Sequence, residues 1–293
     1  MKRSPQIANS TFEAYVELTK PRITYLILVS TALGYYLGAE GIDDILKFLM
    51  CLLGSSFVSA GSGALNHYME VSSDALMDRT RFRPLPSGLI KPNSARSFGL
   101  ILILIGAVIL LYFTNLLTAI LAILTVVLYL LIYTPLKKIT WLNTSIGAIP
   151  GAIPPLGGWT AATGELNPES WILFGILYFW QHPHFYAIAF MFKEDYSKAG
   201  YQMLPVLDIK GNRTNRQIIW HSLLLIPTSL MPTYIGLLGP TYLWGALTLG
   251  LFYFFSGFPL IKNYSLNNAK LLLKVSVLYL PMLFCFIIID KIF

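Results

Sequence analysis

Long stretches of this chain carry no charge at all, and that property restricts its fold more than any motif does. Leu100–Phe113 and Leu116–Tyr133 contain no Asp, Glu, Lys or Arg. A bilayer core asks for ~20 predominantly apolar residues per crossing helix. A helix can cross because it satisfies its backbone N–H and C=O groups internally, as a closed β-barrel also does. A barrel, however, is built from ~10-residue segments of alternating polarity, and these blocks do not alternate. Charged residues make up 12% of the 293, against about 25% in a soluble domain. The pattern predicts an all-α membrane protein with about nine crossings, at 23–40, 46–67, 96–114, 116–134, 142–160, 170–191, 217–238, 242–261 and 271–290. The fifth is rich in Gly and Pro (Gly147, Pro150, Gly151, Pro154, Pro155, Gly157, Gly158). It is expected to be kinked or broken and to lie against protein, where freed backbone groups find partners.

Basic residues set the orientation. With the N-terminus in the cytoplasm, the inner segments hold Lys2, Arg3, Lys20 and Arg22, then Arg79, Arg81, Arg83, Lys91 and Arg96. They also hold Lys137 and Lys138, then Lys193, Lys198, Lys210, Arg213 and Arg216, and finally Lys262, Lys270 and Lys274, leaving Lys47 and Lys291 outside. An eight-span arrangement scatters these groups onto both faces. The same placement argues against nucleic acid as the partner of the +7 net charge. Sequon matches at Asn9, Asn143 and Asn212 fall inside or within the membrane and are read as chance. The first 22 residues are polar and lack the pattern of a cleavable signal peptide. Ser10 and Glu13 fit a capping box, and Phe12, Tyr15, Val16 and Leu18 suggest a short interfacial helix ended by Pro21. Cys51 and Cys285 read as small buried hydrophobes. The whole chain, 1–293, reads as a single transmembrane domain with 1–22 as its interfacial N-terminal segment.

The long loops, after the second and sixth spans, both lie on the inner side, and long ordered loops are where function concentrates. Asn66, Glu70, Asp74 and Asp78 recur every four residues at the inner end of the second span. On one helix that spacing stacks an amide and three carboxylates on one face. Like charges so placed repel, and a hard divalent cation removes the repulsion; Mg²⁺ commonly joins one or two carboxylates to substrate phosphates. Arg79, Arg81 and Arg83 follow immediately, and guanidinium forks match phosphate oxygens. Acid to hold metal, then base to hold phosphate, is a diphosphate site. A solvated helix end with ordinary charges is the bland alternative, but acids so near a bilayer are costly and usually functional. His182 and His184 lie near the inner end of the sixth span, and imidazole is a frequent axial ligand of heme iron. Two apart on a helix, they cannot both reach one iron from one side. The alternative for both is hydrogen bonding within the bundle; His221 reads as structural.

These motifs, in this order, resemble the intramembrane aromatic prenyltransferase (UbiA-type) superfamily, in the heme branch of the protoheme IX farnesyltransferases. The resemblance rests on Leu18–Arg22 (LTKPR), Asn66–Leu85 with Met77-Asp78-Arg79-Thr80, Tyr133–Thr140 with Asn143, Gly151–Gly157, Trp180–Phe185, Asp195-Tyr196 and Met203-Leu204-Pro205. It implies a ring of helices around a central cavity and a multi-pass protein of the inner (plasma) membrane with its site toward the cytoplasm. The implied reaction is Mg²⁺-dependent transfer of a farnesyl group from farnesyl diphosphate to a vinyl group of protoheme IX, giving heme O. By this resemblance one or two Mg²⁺ ions sit on Asn66, Glu70, Asp74 and Asp195, and Asp78 supports the metal or orients Arg79. Arg79, Arg83, Tyr133, Lys137 and Asp195 contact diphosphate, and His184, with His182 second, contacts heme. Heme is then a substrate, the surrounding lipid a partner, and a downstream heme-modifying enzyme a possible recipient of product. Two departures stand out: Glu70 where many relatives have Asp, and Ala199 where a second Asp would follow Asp195. Rival expectations are a sister enzyme acting on a quinone-ring precursor, and an ion-coupled transporter with broken helices near the midplane.

Overall fold

The computed structural model describes residues 10–292, and every regular element among them is helical. Lys2, Arg3 and Asn9, which entered the charge and sequon readings, lie outside the described residues. Ser10 caps α1 (Thr11–Leu18), its Oγ accepting the Glu13 N–H at 3.2 Å, which is the first half of the expected capping box. Its apolar residues do not form one stripe: Ala14 and Leu18 are fully buried, whereas Phe12 and Val16 are exposed. Pro21 does more than stop α1. It is the first residue of α2 (Pro21–Gly38), a position where its missing N–H costs nothing.

The remaining elements are α3 (Ile45–Met69), α4 (Val71–Leu76), α5 (Pro92–Phe113), α6 (Leu116–Val127), a wide π-helical turn (Leu128–Tyr133) and α7 (Thr134–Leu136). They continue with α8 (Asn143–Thr163), α9 (Pro168–Met191), α10 (Lys193–Lys198), α11 (Leu204–Leu207), α12 (Asn212–Tyr234), α13 (Pro240–Ser256), α14 (Phe258–Lys262) and α15 (Leu266–Ile292). Every predicted span falls on a helix. Among the described residues, five stretches are long and apolar enough to cross a membrane: Ile45–Met69, Pro92–Phe113, Leu116–Leu136, Pro240–Lys262 and Leu266–Ile292. Leu104, Leu116, Leu131 and Phe252 point outward from them and are exposed, as side chains that meet lipid do. Cys51 is buried as expected, but Cys285 is exposed on α15, so only one of the two is a core residue.

The chain divides into two compact units. The first comprises Met1–Ile139, Ile153–Leu166 and Asp195–Tyr201; the second comprises Thr140–Ala152, Asn167–Glu194 and Gln202–Phe293. In the first, α3 and α5 pack backbone to backbone. A Cβ on Gly61 would strike the Gly99 carbonyl, and one on Gly106 the Gly54 carbonyl, so only glycine permits this approach. The Gly/Pro-rich segment was expected to be kinked or broken, and to lie against protein. It runs instead as an unbroken helix, α8, from Asn143 to Thr163. Its C-terminal half is braced by α2 so closely that a Cβ on Gly158 would overlap the Thr31 carbonyl. In the second unit α9 packs on α12 and α15, and α13 on α12 and α15.

Candidate diphosphate site

The predicted column of oxygen donors is bent rather than straight. Asn66 lies in the last turn of α3; Glu70 then closes α3 and opens α4 with φ −100° and ψ 8°. Asp74 still follows Glu70 by one helical turn, its N–H donating to the Glu70 carbonyl at 2.8 Å. The helix ends at Leu76, so Asp78 leaves the common face and stands in the turns that follow. The acidic run thus parts into a buried group and an exposed one.

In the buried group each oxygen donor meets a cation from another part of the first unit. Asp74 is 1% exposed, and a single Arg83 nitrogen, Nη1, donates to both its carboxylate oxygens, at 3.0 and 2.9 Å, a charge-assisted contact shared between two acceptors. Thr80 Oγ1 donates to the Asp74 carbonyl at 2.9 Å and so folds the Arg-bearing loop back over α4. Glu70 Oε1 accepts from Lys137 Nζ at 2.7 Å and from the Tyr201 hydroxyl at 2.9 Å. Burial alone would raise the Glu70 carboxyl; the charges of Lys137 and Lys20 and these two hydrogen bonds reverse that and hold it below its usual range. Burial works against the Lys137 ammonium as well, yet Tyr133 and Glu70 keep it well above the ordinary lysine value. That ammonium sits 4.7 Å from the centre of the Tyr133 ring, a cation–π contact. Tyr133 stacks on Tyr129 at 5.8 Å. The wide turn that carries both tyrosines closes with the Thr134 N–H on the Tyr129 carbonyl, and Thr134 Oγ1 accepts from Asn66 Nδ2 at 3.2 Å.

Lys20 completes the cluster, and it was not among the expected site residues. It caps α2 in the left-handed region, φ 49° and ψ 58°, a conformation that costs a non-glycine residue about 1–2 kcal/mol. Its ammonium donates to Asn66 Oδ1 and lies 3.4 Å from the Tyr129 hydroxyl. Burial, and then the positive charge of Arg83, pull Lys20 down to about 7. Tyr201 was missed in the same way. Next to this group His67 is 2% exposed, its Nδ1 unpartnered and 4.0 Å from Asp74 Oδ2.

In the exposed group, Lys198 Nζ reaches Asp78 Oδ2 at 2.6 Å and Arg81 lies 3.9 Å from the other oxygen. Asp195 Oδ1 accepts the Asp78 N–H at 3.1 Å. The two long loops are therefore joined here within one unit. Arg79 is exposed and stands outside the buried contacts described. Ala199 is buried and supplies no oxygen where a second Asp was looked for.

Among the described residues no three His, Cys, Asp or Glu side chains already converge as a metal centre. The donor set nevertheless fits a magnesium diphosphate. Arg83 and Lys137 balance two carboxylates (Glu70, Asp74), and Lys20 adds a surplus positive charge while it is protonated, below about pH 7. A prenyl diphosphate carries about three negative charges, and a divalent ion leaves about one of them to be matched. The unpartnered His67 Nδ1 marks a place beside Asp74 where hydrogen-bonding capacity is not yet used.

The second unit holds the histidines. His182 is fully buried, donates Nδ1–H to the Tyr178 carbonyl at 2.8 Å and accepts from Ser145 at Nε2, 3.1 Å. It stacks on His221 with centroids 3.7 Å apart. Both its nitrogens are engaged, so it offers no lone pair in this geometry. His184 differs. Ser276 gives its single hydroxyl proton to the Leu273 carbonyl at 2.7 Å, so the 2.8 Å contact to His184 is a donation from Nδ1–H. Nε2 of His184 therefore carries a lone pair, and an orienting hydrogen bond on the other nitrogen is the arrangement metal-bound histidines use.

The chain matches the model described as the UbiA prenyltransferase family over residues 27–279. It is 46% identical to the protoheme IX farnesyltransferase of Solibacter usitatus, covering 94% of this chain and 98% of that protein. It is 39% identical to that of Cytophaga hutchinsonii, covering 97% and 99%. In fold it is similar to digeranylgeranylglyceryl phosphate synthase, TM-score 0.81 at 23% identity over 96% and 99% of the two chains. A UbiA homologue from Archaeoglobus fulgidus, solved with GPP and Mg²⁺, gives a TM-score of 0.68 at 17% identity over 94% and 99%.

Proposed function

Because the chain belongs to the UbiA prenyltransferase family, we propose that it transfers the farnesyl group of farnesyl diphosphate to a vinyl group of protoheme IX, forming heme O. The observation that carries this reading is the buried cluster in which Lys20, Arg83 and Lys137 hold Asn66, Asp74 and Glu70. Asn66, Glu70 and Asp74 would hold Mg²⁺, with Asp195 as a further ligand. Bound there, the ion supplies charge neutralisation to the diphosphate oxygens. Arg83, Lys137 and Lys20 turn from the carboxylates to the diphosphate and stabilise it as it leaves, as fixed cations do for developing phosphate charge. Arg79 and Tyr133 line its path, Tyr133 by keeping the Lys137 ammonium in place. Asp78 is given a joining role with Asp195 and Lys198 rather than a place on the metal.

The allylic C–O bond breaks, and the electron pair stays with diphosphate. The vinyl group attacks the allylic cation, and water then captures the new cation and releases a proton, so the product gains a hydroxyl. His184 holds the porphyrin iron through Nε2, oriented by Ser276. No protein nucleophile is needed. Nine crossings, an N-terminus on the inner side, a single catalytic domain and a site opening toward the cytoplasm of the inner membrane complete the proposal. The greasy product is suited to direct delivery to a heme-modifying enzyme.

Purified protein supplied with Mg²⁺, farnesyl diphosphate and protoheme should yield the hydroxyethylfarnesyl heme by mass spectrometry. A product formed only with a quinone-ring precursor such as 4-hydroxybenzoate, and none with protoheme, would replace the acceptor. No product with any acceptor would remove the enzymatic reading.

A further inference from the structure

The second unit carries a cleft of about 340 Å³ that the prenyl-transfer chemistry does not use. Lys210, Asn215, Arg216, Trp220 and Ile261 are among the residues that line it. Its polar wall is basic: Lys210 and Arg216 are exposed. Its other wall is apolar and also faces outward, Trp220 at 54% and Ile261 at 51% exposure. Asn215 is 9% exposed; its Nδ2 donates to the Leu260 carbonyl at 3.1 Å, while Oδ1 has no partner. The cleft therefore combines two cations for a phosphate, an idle buried acceptor for a donor group, and an apolar rim.

A free phosphate satisfies the first feature alone. A lipid headgroup satisfies all three, since acyl chains cover Trp220 and Ile261. Ile209, 84% exposed beside Lys210, and Leu207, 46% exposed, form an apolar tip next to the cations, as a loop that dips into the interface does. Tryptophan at this level is the usual interfacial anchor. We propose that this cleft is a binding site for one anionic glycerophospholipid whose headgroup carries a hydroxyl, phosphate on Lys210 and Arg216 and hydroxyl on Asn215 Oδ1. The site is independent of the identity of the prenyl acceptor.

The test uses the full chain, stripped of lipid in a neutral detergent and titrated with phosphatidylglycerol, with phosphatidylcholine of the same chains, or with inorganic phosphate. Retained molecules are counted by native mass spectrometry and thermal stability is followed in parallel. One phosphatidylglycerol per chain should be retained, with a rise in Tm that phosphatidylcholine and phosphate do not reproduce. The Lys210→Gln/Arg216→Gln variant should bind it roughly thirtyfold more weakly, at about 1 kcal/mol per cation near a membrane surface. Lys270→Gln/Lys274→Gln, which removes the same charge from exposed positions elsewhere, should bind as the parent does. Equal loss in both variants, equal retention of phosphatidylcholine, or equal stabilisation by phosphate overturns the proposal.

Discussion

Glu70 and Asp74 on one side, and Asp78 and Asp195 on the other, are carboxylates of the same site region with opposite surroundings. The first pair is buried and each member is held by a dedicated cation. In the second pair Asp78 is exposed and Asp195 half-buried, and their contacts include Lys198, Arg81 and the Asp78 N–H. A carboxylate withdrawn from water with a cation at its side has its charge fixed in direction and strengthened by the low local dielectric. One in water contributes little, because exposed pairs are screened. The difference teaches that a regular acidic spacing is not by itself a regular site: the backbone bend at Glu70 and the helix end at Leu76 decide which acids of the run are buried beside a cation.

The largest effect should come from the buried half. Asp74→Asn removes the partner of Arg83 and one oxygen charge for metal, and should lower kcat/KM for farnesyl diphosphate on the order of 10²–10³-fold, as loss of a positioned electrostatic group does; an active variant breaks the comparison. Next comes the second unit. His184→Ala should weaken protoheme binding while farnesyl diphosphate binding stays unchanged, and Ser276→Ala should weaken it on the order of tenfold through lost orientation, both read from the heme absorption band on titration. A smaller effect is expected in pH. Lys20 keeps its proton below about pH 7 and loses it above, so kcat/KM, which reports the free enzyme, should fall on the order of tenfold from about pH 6 to about pH 8. Lys20→Arg should flatten that limb. Stability moves the other way: the unfolded chain keeps this proton to about pH 10, so the burial cost is present in full below about 7 and is relieved as pH rises from there toward 10. The smallest effect belongs to the exposed half. Asp78→Asn should cost within about 1 kcal/mol of stability and leave turnover nearly unchanged; a loss as deep as that of Asp74→Asn would erase the distinction.

Much of this was legible in the residues themselves. Uncharged blocks marked the helices, and the Asn66–Arg83 run marked residues that gather in the buried cluster, because its acids and guanidinium groups are close in sequence. Lys20 and Tyr201 escaped notice for a physical reason. Both reach Asn66 or Glu70 only through tertiary packing, from positions 46 and 131 residues away. A faint signal existed for Lys20: the residue before a proline is driven out of the right-handed helical region, which marks a backbone held in an unusual direction. Nothing at Glu70, neither Gly nor Pro, announced the bend there. The unbroken course of α8 was hidden too, since the brace from α2 that supports it lies more than a hundred residues away. The resemblance ranked His184 ahead of His182, but the physical difference between them shows only in the fold, where Ser145 and Ser276 meet different ring nitrogens.

The wide turn at Leu128–Tyr133 has a consequence for how this site tolerates change. An ordinary helix advances about 100° in azimuth per residue, and one surplus peptide unit in that turn sets the phase of everything downstream, including Lys137. Excising a single residue there would leave the hydrophobic span nearly as long as before yet swing the lysine around the cylinder, away from Glu70. The donor site is thus more exposed to a length change of one residue in an apolar stretch than to most substitutions along it.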